Sequence, residues 1–239
     1  AKLVLPDDNF ATLVNAVEQG RTVYSNIRKF IRYMLSCNIG EVFTMLFAML
    51  LDLPVVLLPI QLLLINLVTD GLPAIALGME PCDKNIMELP PRKSDESIFA
   101  GGMLWGILIR GLAIGFVSVM SFRSVYGGFG LEAARTAAML TLSLSQLIFV
   151  FECKTEGRGI FNARYLSNPR LIAAVLISLL LTLSVVYISE LSSVFDAVSL
   201  DASILMQSIL FSAAVPFIRG IWLLFKGIDE TARRYDNIK

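Results

Sequence analysis

Asn66, Thr69 and Asp70 lie within one of the most apolar stretches of the 239-residue sequence, residues 62–73. On a helix, positions i, i+3 and i+4 are neighbours, so these three oxygen-bearing side chains share one face. A charged side chain at mid-membrane costs about 2.5–3.5 kcal/mol on insertion scales, which makes Asp70 a functional candidate. Pro73 adds to the case. It has no N–H to give the carbonyl of Thr69, and its ring clashes with that same carbonyl. Leu72 is pushed off helical angles by the proline after it, and Gly71 tolerates the resulting turn. The expectation is a helix that unwinds near Asp70 and Pro73, freeing backbone oxygens beside a carboxylate. Irregular backbone at this depth persists only when buried in protein or lining a polar cavity, a combination suited to a cation. The competing reading is interhelical glue with Pro73 as a packing kink.

A second polar island precedes it, Ser36-Cys37-Asn38-Ile39-Gly40-Glu41. Asn38 and Glu41 share a face at i, i+3, and Gly40 permits close approach of a neighbouring helix. Asp52-Leu53-Pro54 predicts a tight turn that makes the two apolar segments antiparallel neighbours. Glu41 is about eleven residues before that turn and Asn66 about fourteen after, so at ~1.5 Å per residue they lie at similar depth. Asn38, Glu41, Asn66, Thr69 and Asp70 then offer carboxylate, amide and hydroxyl oxygens, a set suited to a hard cation such as Ca²⁺. The chain has no histidine and no Cys-x-x-Cys pattern, which argues against Zn²⁺ and Cu⁺. Cys37 beside the island reads as packing. Farther on, Thr141, Ser143, Ser145 and Gln146 make another polar run, from which Gln146 could offer an amide oxygen to the same cavity or bond across a helix interface.

Those positions need a bundle to hold them. Hydrophobic residues make up 56% of the chain and mean hydropathy is +0.70, far above a soluble domain. The expected fold is an all-α polytopic membrane bundle of six helices, spanning roughly residues 30–51, 57–79, 104–126, 133–151, 171–188 and 204–225. Asp7, Asp8 and Asn9 predict a capped helix start. Cys37, Cys82 and Cys153 are too scattered for a disulfide framework. Net charge is zero, so overall charge points to no nucleic-acid partner. Its distribution orients the chain. Arg21, Arg28, Lys29 and Arg32 precede the first span; Lys84, Arg92, Lys93, then Lys154, Arg158, Arg164 and Arg170 fill two loops, and the tail is basic. The other face carries Asp52, Glu132, Glu190, Asp196 and Asp201 with only Arg123 and Arg135. By the positive-inside rule both termini are cytoplasmic. Gly102, Gly106, Gly111 and Gly115 form a ladder of small residues expected to pack a helix. Arg110 is expected to snorkel, and Glu152 to sit at a solvated interface.

Several motifs together resemble the C-terminal membrane half of a calcium-transporting P-type ATPase. They are Val4-Leu5-Pro6-Asp7-Asp8-Asn9-Phe10, Asn26-Ile27-Arg28-Lys29-Phe30-Ile31-Arg32-Tyr33, Ser36-Cys37-Asn38-Ile39-Gly40-Glu41 and Asn66-Leu67-Val68-Thr69-Asp70-Gly71-Leu72-Pro73-Ala74. The resemblance is dense to Met87 and mainly topological beyond. It implies that the spans are the fifth to tenth of ten. Residues 1–24 would end the phosphorylation domain and lead into a stalk helix, and residues 25–239 would form the transport domain. Asn38 and Glu41 would match fifth-span ligands, Asn66, Thr69 and Asp70 sixth-span ligands, with Asn66 favouring calcium. Counting back from Ile160-Phe161, the acidic eighth-span ligand of two-ion pumps falls on Gln146, which puts a second ion site in doubt. Glu41 then becomes a candidate carrier of counter-transported protons.

The Asp-Lys-Thr-Gly, Gly-Asp-Gly-x-Asn-Asp and Thr-Gly-Glu motifs of that family do not occur in the chain, nor does its proline-glutamate gate. The chain begins without methionine and in mid-motif, the expectation being a piece of a longer protein. No catalytic or cofactor-binding residue is expected in it. Ca²⁺ is the implied cargo, with ATP and Mg²⁺ acting only through the cytoplasmic domains. The implied partners are membrane lipid and the N-terminal part of the pump: actuator, nucleotide-binding and phosphorylation domains and first four spans. The implied location is the plasma membrane of a prokaryote. Against this stands a non-enzymatic antiporter or channel subunit, although no second copy of the Asn66–Pro73 pattern marks an internal repeat. A scaffold or regulatory fragment is the third reading.

Overall fold

The computed structural model describes residues 10–82, 85–88, 90–91, 96–155 and 167–226, the last ten as helical backbone only. The motif at Val4 to Asn9 with its helix cap, the basic residues Lys84, Arg92, Lys93, Arg158 and Arg164, Ile160-Phe161 and the tail beyond 226 lie outside the described residues. Every regular element among the described residues is helical. They are α1 (Phe10–Leu50), α2 (Pro59–Leu64), a π-helical turn (Ile65–Asp70), α3 (Gly71–Gly78), α4 (Met103–Phe129), α5 (Leu131–Lys154), α6 (Pro169–Tyr187), α7 (Ser189–Val194) and α8 (Ala202–Lys226). Five helical stretches are long and apolar enough to cross a membrane: α1, the continuous Pro59–Gly78 helix, α4, α5 and α6. α8 adds a shorter apolar stretch, Ala202–Pro216. The result is an all-α polytopic bundle.

α5 is the centre of the bundle. In its most apolar window 83% of residues are buried, against 33–50% in the other four long helices. Its small residues Ala134, Ala137 and Ala138, fully buried, let neighbours approach. Two of its polar side chains are matched by neighbouring segments. Thr141 donates to the hydroxyl of Ser121 on α4 at 2.8 Å, and Thr136 accepts the N–H of Val198 at 3.0 Å.

α1 does not end in a tight turn at Asp52-Leu53-Pro54. It closes with the N–H of Leu53 on the carbonyl of Ala48 at 2.9 Å and that of Asp52 on Met49 at 3.3 Å, with Asp52 left-handed at φ 50°. This is a Schellman stop, with aspartate where glycine is commoner. An extended stretch to Leu58 follows, fastened by buried Val56 and Leu57 and by Arg135, whose Nε donates to the carbonyl of Val55 at 2.9 Å. Pro54 and Pro59 bracket it; proline starts a helix readily but cannot continue one, so the connection is longer than a hairpin. Gln61 locks the start of α2. Its Oε1 accepts the N–H of Leu58 at 3.1 Å, while its Nε2 donates to the carbonyls of Phe195 and Asp196 at 3.2 and 3.3 Å.

Only half of the glycine ladder packs. α1 and α4 meet where Gly40 faces Gly111 and Gly115. A Cβ on Gly115 would stand 2.7 Å from that of Phe43 and 2.9 Å from the carbonyl of Gly40, and one on Gly111 2.8 Å from the Cβ of Ile39. Gly106 has open space around it, and Gly102 is the left-handed residue before α4 at φ 73°. Seven residues are two helical turns, so a ladder at spacings of four and five cannot keep every member on one contact line. Gly115→Ala is expected to destabilise the bundle by about 1–3 kcal/mol, as overpacking does. Gly106→Ala should be neutral or slightly stabilising. Thermal unfolding of the detergent-solubilised variants checks both.

Candidate functional site

Pro73 does distort the helix, but in another way than by unwinding it. The chain stays helical through Gly71–Gly78, and the distortion appears one turn earlier as the wide π turn Ile65–Asp70. An extra residue in a turn is a known accommodation of a disrupted hydrogen-bond ladder, frequent at functional sites. Gly71 is ordinarily right-handed at φ −63°, ψ −51°, so its freedom is not used. Nor are the released carbonyls left free. The hydroxyl of Tyr33 donates to the carbonyl of Thr69 at 3.1 Å, and that of Ser178 on α6 donates to the carbonyl of Val68 at 2.7 Å. Neighbouring helices thereby satisfy the backbone, as the bilayer requires.

The two polar islands meet. Glu41 of α1 accepts the amide of Asn66 on Oε2 at 2.9 Å; the same amide reaches the carbonyl of Leu62 at 3.0 Å. Gln146 of α5 enters from the opposite side. Its Nε2 lies 3.4 Å from Oε1 of Glu41 and 3.5 Å from Oδ2 of Asp70, so one neutral amide bridges two carboxylates. Both distances exceed the usual 2.9–3.0 Å of an N–H···O bond, and the bridge is loose. Thr69, Asp70 and Gln146 are wholly buried and Glu41 nearly so. Asp70 is further contacted by the thiol of Cys37 and lies 3.5 Å from the Tyr33 hydroxyl. Cys37 is thus more than packing. Tyr33 in turn stacks on Phe149 of α5, centroids 6.2 Å apart.

Asn38 is not drawn in. Its amide donates to the carbonyl of Met34 on its own helix at 2.9 Å, a common bond for asparagine inside a helix. Tyr33 and Ser178 join the cluster without being marked in the sequence as site residues. Tyr33 was discoverable, because Tyr33, Cys37, Gly40, Glu41 and Thr44 repeat at helical spacing and all lie on the buried face of α1. Ser178 gave no such signal, since a serine in an apolar helix has many uses.

The donor chemistry fits a hard cation. Oε1 of Gln146 and Oγ1 of Thr69 are buried acceptors with no hydrogen-bond partner. Such orphans cost about 1–3 kcal/mol each, and two of them beside two carboxylates make an oxygen-rich cluster. Rotation of an amide about its last torsion exchanges its NH₂ for its oxygen. Asn66 and Gln146 can therefore bond the carboxylates with their nitrogens, or join them as oxygen donors around a cation. Among the described residues no three acidic or cysteine side chains are placed to hold a metal by themselves, so the amides and hydroxyl are integral to the set.

Near the basic end, the expected snorkelling of Arg110 and solvation of Glu152 are both overturned. The two side chains form a buried ion pair between α4 and α5, Arg110 9% and Glu152 3% exposed. Each supplies the opposite charge the other would otherwise seek in water, which offsets the desolvation of both.

A family model described as "Cation transporting ATPase, C-terminus" matches residues 54–225. The chain is 46% identical over 220 residues to a calcium-transporting ATPase of Bacillus subtilis (strain 168), covering 91% of this chain and 25% of that protein. It is 36% identical to calcium-transporting ATPase 1 of Bacillus cereus, covering 82% of this chain and 24% of the relative. A calcium-transporting ATPase of Listeria monocytogenes is 40% identical over 76% of the chain and 20% of its own length. The chain thus spans about a quarter of the length of the curated relatives it matches. It belongs to the cation-transporting ATPase family, of which it carries the C-terminal membrane part.

Proposed function

We propose that this chain is the cation-binding part of an ATP-driven calcium exporter. The observation that carries the reading is the meeting of Glu41, Asn66, Asp70 and Gln146 from three separate helical segments in a buried cluster. The relatives, calcium-transporting ATPases, point to the cargo and the energy source. Glu41 and Asp70 carry the charge of the site, and Asn66, Thr69 and Gln146 complete it with neutral oxygens. Asn38 contributes from the same face of α1 only if its side chain leaves the carbonyl of Met34. ATP and Mg²⁺ act in the remaining N-terminal part, whose phosphorylation domain ends in residues 1–24. The end of the bundle bearing Arg21, Arg28 and Lys154 is the cytoplasmic one, in the plasma membrane of a prokaryote. An antiporter or channel has no observation in its favour beyond the buried acids, which the pump reading also explains.

Cargo binding requires the carboxylates to exchange amide hydrogens for a cation. Two carboxylates balance one divalent ion. A second dication in the same low-dielectric cavity would meet strong repulsion, and among the described residues no further acid joins Glu41 and Asp70 to offset it. Gln146 can coordinate but cannot neutralise. The cycle therefore moves one Ca²⁺.

The chain alone is expected to hydrolyse no ATP; Ca²⁺-stimulated phosphate release by the purified fragment would sink that claim. In the full-length pump, Asp70→Asn keeps the shape of the side chain and removes its charge. It should abolish Ca²⁺-activated phosphoenzyme formation while leaving phosphorylation by inorganic phosphate intact. Transport at near wild-type Ca²⁺ affinity would show that Asp70 is not a principal ligand. Bound ⁴⁵Ca per phosphorylatable site should saturate near one and rise in Gln146→Glu, whereas a wild-type ratio near two refutes the one-ion cycle.

A further inference from the structure

The basic end of the cation-bearing helix is fastened by side chains of other helices. The carbonyl of Ala76 accepts Nδ2 of Asn168 at 3.0 Å, and those of Gly78 and Glu80 accept Nδ2 of Asn26 at 3.3 and 2.7 Å. Glu80 itself is buried there. Its Oε2 accepts from Asn168 at 2.8 Å, and its Oε1 accepts from the hydroxyl of Ser167 at 3.2 Å and faces Nζ of Lys154 at 3.4 Å. A carboxylate just past a helix C-terminus meets the negative end of the helix dipole, and burying it adds a desolvation cost. Nothing local favours Glu80 in this place; its partners put it there. Those partners come from three different helices. Asn26 belongs to α1, Lys154 ends α5, and Asn168 caps α6 by accepting the N–H of Leu171 at 3.1 Å. All three are buried.

Resting on the pump reading, the geometry points to Glu80 as a positioning residue for transport. Its backbone carbonyl takes Asn26 of α1, and its carboxylate takes Lys154 of α5 and Asn168 at the start of α6, so all three are joined to the basic end of the helix that carries Asn66, Thr69 and Asp70. Asp70 lies about 15 Å along that helix from Glu80. The same α1 carries Glu41, so the joint makes the two halves of the cation cluster move as one body at one end of the bundle. A fastener that served stability alone would affect binding and turnover equally. A joint in the path of motion affects turnover and leaves equilibrium binding in place.

The test uses the full-length pump in lipid vesicles. Asn26→Leu cuts the α1 link and leaves Glu80 with Lys154 and Asn168. Glu80→Ala removes the carboxylate's bonds to Asn168, Ser167 and Lys154 while leaving Asn26 on the backbone carbonyls, and Glu80→Gln restores acceptor and donor atoms without the charge. Equilibrium ⁴⁵Ca binding without nucleotide, Ca²⁺-activated ATP turnover and Ca²⁺ moved per ATP are measured side by side. Asn26→Leu and Glu80→Ala should leave ⁴⁵Ca affinity within about twofold and lower turnover or Ca²⁺ per ATP about tenfold or more, a change of ~1.4 kcal/mol. Glu80→Gln should recover part of the loss. Parallel loss of binding and turnover, or no loss in either, overturns the positioning role. Should Glu80→Ala not reach the membrane, Asn26→Leu decides alone. A wild-type protein that binds no ⁴⁵Ca overturns the pump reading and this inference together. One that binds and turns over, with Asn26→Leu indistinguishable from it, overturns the positioning role only.

Discussion

Pro73 takes one hydrogen-bond donor out of a helix that has no water nearby to replace it, and much of the surrounding structure answers that loss. A carbonyl released in water would simply be hydrated. In a bilayer each unmet polar group costs several kcal/mol, so a donor must come from protein. Tyr33 supplies one to Thr69 and Ser178 another to Val68. The π turn between Ile65 and Asp70 spreads the distortion over residues that also carry the polar side chains. The same constraint governs the carboxylates. Glu41 and Asp70 are too buried to be hydrated freely, and the amides of Asn66 and Gln146 stand against them as donors.

The charges outside that cluster follow the same logic. Arg110 and Glu152 pair with each other, and Glu80 is surrounded by Lys154, Asn168 and Ser167. These charged groups lie buried between helices. Large apolar side chains such as Leu63, Leu67, Trp105 and Leu180 take the outer surface instead, each at least 60% exposed. Apolar side chains thus fill the core and also cover the outer surface, because the surrounding solvent is itself apolar.

The sequence made the class of fold and the heart of the site legible. Apolar run lengths announced the helices, and a depth comparison across one connection brought Glu41 and Asn66 together. The two meet although the connection is an extended stretch and not a tight turn. What stayed hidden shares a physical cause: it depends on which helices are neighbours. Arg110 reads as a snorkelling cation until Glu152 is found beside it, 42 positions on in the chain. Glu80 carries no mark of its role in the sequence, and Asn168 and Lys154 close around it only in the fold. The glycine ladder misled in the other direction, because a spacing can propose a contact line without saying which partner lies along it. Cys37 and Tyr33 were hidden less by distance than by habit, since apolar-looking residues beside a carboxylate are easily assigned to packing.

α1 is unbroken for 41 residues from Phe10 to Leu50. At ~1.5 Å per residue it is a rod of about 60 Å, twice the ~30 Å thickness of the hydrocarbon layer. Its closest crossing with α4 is at Gly40, immediately before Glu41. Tilted about that crossing, such a rod would act as a lever with its fulcrum beside the cluster of Glu41, Asn66, Asp70 and Gln146. A tilt of ~10° about that crossing would sweep Phe10 through about 8 Å while moving the backbone of Glu41 by only a few tenths of an ångström. Large displacements at the far arm can thus be tolerated without tearing apart the bonds that Glu41 makes, and Asn26, partway along the arm, would travel about 4 Å and carry the end of its neighbour with it.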